Sequence, residues 1–101
     1  MTETAMSQNG VIIRLPEERW QHITERHQDL TDKKELVLNT ITEPDYIFDG
    51  NEGALMAVRE ITGGKLLVVI YRENSSSDGF IVTAFPTRRL KSLKKRRQIW
   101  P

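Results

Sequence analysis

The run Leu66-Leu67-Val68-Val69-Ile70-Tyr71 constrains what this chain can fold into more than any other feature. It is far short of the roughly 20 apolar residues that a helix needs to cross a bilayer. It also shows no polar alternation, so it reads as a strand covered on both faces, at the centre of a sheet. A chain of 101 residues holds one modest core. The remaining elements therefore have to supply two covering layers and the flanking strands.

Upstream of that run the pattern is helical. Residues 11–15 form a short β-branched strand stopped by Pro16, which then serves as the first residue of a helix. Glu17 and Glu18 complement the positive helix start, and Trp20, Ile23, His27 and Leu30 share one face. Asp32 followed by Glu35 is a capping-box pattern for a second helix, with Leu36, Val37, Thr40 and Ile41 on one side and Glu43-Pro44 as its stop. After Pro44 the period becomes that of strands. Segments 46–49, 54–61, 65–73 and 79–86 are separated by Gly50 and Gly53, by Gly63-Gly64, and by Ser75-Ser76-Ser77-Asp78. The expected class is α+β: an N-terminal strand and two helices packed on a curved antiparallel β-sheet meander, with a basic C-terminal helix or tail. The organisation reads as a flexible leader at 1–10, a single domain at 11–87 and a basic amphipathic tail at 88–101.

The chain contains no cysteine, so neither a disulfide nor a thiolate zinc site is available. Residues 1–10 lack a basic and apolar leader pattern, and with no membrane span the expected location is the cytoplasm. No cofactor is expected. Gly63-Gly64 is a hairpin turn rather than a nucleotide-binding loop, and His22 and His27 are not at a spacing that shares a helix face.

Charge is divided unevenly. Residues 1–85 carry eight Lys/Arg against fourteen Asp/Glu, a net −6, whereas residues 86–101 carry seven basic groups and no acid. Within that segment Leu90, Leu93 and Arg97 fall on one helical stripe, followed by Trp100. Arg88, Arg89, Lys94, Lys95, Arg96 and Arg97 suit a phosphate backbone; they equally suit an acidic partner protein or a solvated helix face.

Arg26 and His27 stand together at the end of the first predicted helix. Histidine exchanges protons near neutral pH, so this pair is a place to look for acid/base chemistry on an anion; the competing reading is a core-edge histidine beside a helix-end cation. Strand alternation groups Ile81, Thr83 and Phe85 on one side and Phe80, Val82 and Ala84 on the other, so Thr83 lines either a solvent-facing groove or the core.

The order of these parts resembles the phage-associated branch of the barnase, EndoU, colicin and RelE-like (BECR) nucleases: a short strand, a helix ending in Arg-His, a second helix, Glu-Pro-Asp, a strand LLVVIYRE and a strand GFIVTAFPT. The resemblance covers about residues 11 to 99. It implies a small, metal-independent endoribonuclease of toxin type, as found in phage and toxin-antitoxin systems, with its site on the exposed sheet face. Carried over by position, it points to Arg26, His27 and Thr83. One departure is Gln28 where proline is expected, which lets the helix run on and tilt His27.

The implied chemistry uses the 2'-hydroxyl of RNA as nucleophile and ends in a 2',3'-cyclic phosphate. It needs a base, an acid and cationic donors for the charge on the phosphorane. His27 suits base or acid, Arg26 and Arg59 suit phosphate oxygens, Thr83 offers a hydroxyl, and Lys65 and Tyr71 are remoter nucleic-acid contacts. RNA is the expected partner, with an acidic antitoxin or inhibitor protein as a second. The alternative is a non-catalytic module on the same fold that binds nucleic acid or a partner protein.

Overall fold

In the computed structural model, which describes residues 3–101, the apolar run lies at the middle of a seven-stranded sheet. The strands are β1 (Glu3–Met6), β2 (Ile12–Leu15), β3 (Tyr46–Asp49), β4 (Leu55–Thr62), β5 (Lys65–Glu73), β6 (Gly79–Thr87) and β7 (Gln98–Trp100). Their order is β1-β2-β6-β5-β4-β3-β7. β5 is antiparallel to β4 on one side and to β6 on the other. Leu67, Val69 and Tyr71 point to one face of the sheet and Leu66, Val68 and Ile70 to the other, each set in its own apolar cluster. Double-sided burial is why this strand shows no polar alternation.

The first cluster is made with two helices, α1 (Glu17–Arg26) and α2 (Lys34–Thr42). The carbonyl of Pro16 accepts the N–H groups of Arg19 and Trp20, both at 3.0 Å, so the proline stands just before the helix rather than as its first residue. Trp20 and Ile23 are buried against the sheet. The helix does not run on past Arg26: His27 leaves helical geometry at φ −133° and ψ 78°, and a single 3-10 turn, Gln28–Leu30, carries Leu30 into the core. In α2, Val37, Leu38, Thr40 and Ile41 are buried, with Leu36 only partly so. The expected capping box is absent because the residue before α2 is Lys33. Asp32 lies one position too early, and its carboxylate takes the Lys33 ammonium at 3.1 Å instead.

Three expectations are corrected. Within the leader, residues 3–6 are the edge strand β1, antiparallel to β2 from Glu3 opposite Leu15 to Met6 opposite Ile12, and residues 7–10 turn the chain between the two; residues 1 and 2 lie outside the described residues. The sheet is mixed rather than a simple antiparallel meander, since β2 runs parallel to β6 through Ile13 opposite Gly79 and Arg14 opposite Phe80. The helices and the meander between those strands return the chain in the same direction, as a parallel pair requires. Finally, the basic helix or tail expected at 88–101 is one helical turn followed by a strand. One turn, α3 (Leu90–Leu93), packs Leu93 and part of Leu90 on the face of β5 away from α1 and α2, and β7 then pairs antiparallel with β3. Sheet pairing and a second apolar layer outweigh the local helical stripe.

Gly79 is required where β2, β5 and β6 meet, because a Cβ there would lie 2.2 Å from the Arg72 carbonyl oxygen and 2.6 Å from Ile13 Cδ1. Gly79→Ala is expected to destabilise the fold by about 1–3 kcal/mol through overpacking. Leu67→Ala should cost about 2–5 kcal/mol by leaving a cavity in the main core. Urea unfolding of the two variants beside the parent measures both.

Candidate functional site

Several of the candidate residues meet at one end of the sheet. The backbone of His27 is fully engaged: its N–H donates to Ile23 O at 2.8 Å, and its carbonyl accepts the Leu30 N–H at 2.9 Å. The ring is half-buried and makes no hydrogen bond or ion pair among the described residues, while Arg26 beside it is exposed. Two residues on, the Asp29 carboxylate lies 3.6 Å from the ammonium of Lys65, the first residue of β5, which ties the end of α1 to that end of the sheet. Arg59 pairs in register with Leu67 and is half-buried on the same face as Lys65. Arg88 reaches the turn beside Lys65, donating to Gly63 O at 3.1 Å. Arg26, His27, Arg59, Lys65 and Arg88 thus gather at one end, on or next to the helix-covered side.

Thr83 and Tyr71 stand elsewhere. β6 bulges against β5 between Ile70 and Tyr71, so Ile81 lies opposite Tyr71, Thr83 opposite Ile70 and Ala84 opposite Val69. Ile81 and Ala84 both belong to the helix-covered core, whereas Thr83 and Phe85 face the other way. The expected grouping of Ile81 with Thr83 and Phe85 fails because the bulge absorbs Val82. Thr83 is half-exposed on the face opposite the layer that carries His27. Tyr71 is fully buried in the main core, and its hydroxyl has no hydrogen-bond partner among the described residues. Burial, reinforced by the charge of Glu73, pushes its ionisation well above the ordinary tyrosine range. It is a core residue and offers no surface to a nucleic acid.

The basic segment is a fixed platform. Among the described residues, none of the seven Lys/Arg side chains from 88 to 97 has a carboxylate within ion-pair distance, whereas the ion pairs that form all lie in the acidic first part of the chain. Lys94 lies over the Tyr46 ring at 5.2 Å, and Arg96 donates to Asp49 O at 3.1 Å. Arg89, Lys91, Lys95 and Arg97 are exposed.

Pattern reading also missed a polar set on the open sheet face. Arg14 grips the Asp78 carboxylate through two bonds of 2.8 and 3.1 Å, and Arg72 donates to Glu52 O at 2.8 Å. The register that places Arg14 and Arg72 beside Phe80 depends on long-range pairing, so no local signal marks it. The hydrogen bond from Arg14, with its charge, holds the Asp78 carboxyl below its ordinary value of 3.8. Among the described residues no three His, Asp or Glu side chains cluster as a metal-ligand set, and no helix is long and apolar enough to cross a membrane. Comparison with protein-family models, with curated proteins and with solved structures gives no match.

Two outcomes follow from these electrostatics. The Asp78 contribution is present above the ordinary carboxylate pKa and is lost as pH falls through its lowered folded value. The drop in Tm from about pH 6 to about pH 2.5 should therefore shrink in Asp78→Asn. Tyr71→Phe removes a buried hydroxyl without a partner, so stability should be unchanged or higher by up to about 1–3 kcal/mol. The parent contribution from neutral Tyr71 is lost as pH rises above the ordinary tyrosine pKa, and the variant should lack that alkaline loss in a pH series of urea unfolding.

Proposed function

We propose that this protein is a metal-independent endoribonuclease that cleaves RNA by attack of the 2'-hydroxyl on the adjacent phosphate, leaving a 2',3'-cyclic phosphate. The observation that carries the reading is the half-buried His27, with an uncommitted ring, at the end of α1 that the Asp29–Lys65 ion pair ties to the end of the sheet bearing Arg59, Lys65 and Arg88. A proton-transfer group with cations at the same end of the sheet is the minimum that this transesterification needs, because RNA brings its own nucleophile. His27 serves as base or acid. Arg26, Lys65 and Arg88 hold the phosphate, and Arg59 adds positive potential from the half-buried side. Resemblance to the BECR nucleases supports the same assignment.

Thr83 lies outside the reacting set in this reading, because it belongs to the opposite face. The cations of 88–97 supply sequence-independent affinity for the RNA backbone. They also offer a surface to an acidic antitoxin or inhibitor protein. A second reading is a non-catalytic RNA-binding module, favoured by the separation of Thr83 from His27; it keeps the basic platform and discards the chemistry.

Purified protein should cut RNA in EDTA, yield 2',3'-cyclic phosphate ends and fail on RNA carrying a 2'-deoxy sugar at the scissile position. His27→Ala should slow single-turnover cleavage by about 100-fold or more with the fold retained, while Thr83→Ala keeps most of the rate. Binding that persists with no cleavage of diverse RNAs would establish the binding-module reading. Neutralising Arg89, Lys94, Lys95, Arg96 and Arg97 together, with Arg88 kept, should weaken RNA binding and flatten its salt dependence, with cleavage at saturating enzyme largely spared.

A further inference from the structure

The sheet ends in two unlike edges. β7 is three residues long, follows Arg96 and Arg97 and is succeeded by Pro101, all features that discourage another strand from pairing there. β1, four residues long, has Glu3 as its one charged residue. Its register with β2 is unbroken, Thr4, Ala5 and Met6 carry no charge, and among the described residues nothing pairs with its outer edge.

The surroundings of that edge are shaped on both sides of the sheet. On the helix side a groove of about 540 Å³ runs between β1 and α2, lined by the four residues of β1 and by Glu35, Leu38, Asn39 and Thr42. On the open side Met6 and Ile12 are opposite each other in register and are the most exposed large apolar side chains among the described residues, at 51% and 44%.

We propose that β1 is the docking edge for an extended peptide segment of a partner protein, apolar at alternate positions and carrying a lysine or arginine. Strand addition satisfies the free N–H and C=O groups of the edge, and alternate side chains of the added strand point to opposite faces. One set enters the groove beside Ala5 and Leu38; the other covers Met6 and Ile12. Charge selects the partner. Glu3 and Glu35 both line the groove while no Lys or Arg does, and Lys34, 3.1 Å from the Glu3 carboxylate, lies outside the lining, so the groove presents two carboxylates and no cation. A second copy of the chain fits less well, since its own β1 brings Glu3 and no cation. The proposal is independent of the role given to His27.

Short random peptides displayed on phage and panned against the full chain test it. Enriched sequences should alternate Val, Ile or Leu with polar residues and contain Lys or Arg. A synthetic peptide of the enriched sequence, titrated into the 15N-labelled protein, should shift amides of β1 and of residues 38 to 42 while leaving β7 unmoved. Asn39→Trp fills the groove from an exposed position and should weaken binding about tenfold or more. Glu35→Lys should weaken it about two- to five-fold. Both variants should keep the circular dichroism and Tm of the parent, since both positions are exposed. Failure to enrich any peptide, shifts centred away from β1, or undiminished binding by Asn39→Trp would overturn the proposal. So would concentration-dependent shifts of β1 amides without peptide, which would assign the edge to a second copy.

Discussion

Burial of β5 on both faces is the constraint from which the rest of the architecture follows. Leu67, Val69 and Tyr71 are covered by α1 and α2, which leaves Leu66 and Val68 needing an equivalent cover on the other side. Phe48, Met56 and Val58 from neighbouring strands supply part of it, and Leu90 and Leu93 supply more. Burying a leucine is worth about 1.5–3 kcal/mol, so the second layer draws the C-terminal segment onto the sheet. The cations of 88–97 consequently sit on a surface anchored by apolar residues and by β7. Their positions relative to the Lys65 end of the sheet are set by packing.

The sheet also divides the polar chemistry into two territories. On the helix side, the Asp29–Lys65 ion pair and the reach of Arg88 to Gly63 bring the end of α1 into a common neighbourhood with cations far apart in sequence. On the open side stand Thr83, Phe80, Phe85, Arg14 and Arg72. A single bulged residue, Val82, decides on which side Thr83 falls. In the proposed reading proton transfer is assigned to His27 alone, whereas affinity for a polyanion is spread over many groups. The two properties are therefore separable by mutation.

Charge and packing reinforce that separation. The acidic body satisfies its cations locally, through pairs such as Arg14 with Asp78 and Lys34 with Glu3. Exposed pairs of this kind add little stability each. Their consequence is to leave the 88–97 strip as a concentrated positive surface with no carboxylate in ion-pair distance among the described residues. At physiological salt its field extends about 8 Å.

Local pattern was sufficient for much of the fold and for part of the site. Strands 46–49 and 65–73, the central place of residues 66–71, and the buried faces of Trp20, Ile23, Val37 and Ile41 were all legible from spacing and turn residues, because the alternation of apolar groups is written in near neighbours. His27 and Arg26 were legible as a pair for the same reason. Other features answer to residues distant in sequence. Glu3–Met6 carries no apolar period and is a strand only because β2 offers it an edge, while β7 forms because β3 does the same for a segment with helical spacing. The side taken by Thr83, the burial of Tyr71 and the tie of Asp29, two residues after His27, to Lys65 depend on register, a bulge and an ion pair between separate elements. Thus the sequence by itself determined the elements and their apolar faces, through short-range periodicity. Only tertiary structure decided the strand partners and the grouping of polar side chains, because those follow from which distant surfaces cover the two faces of β5.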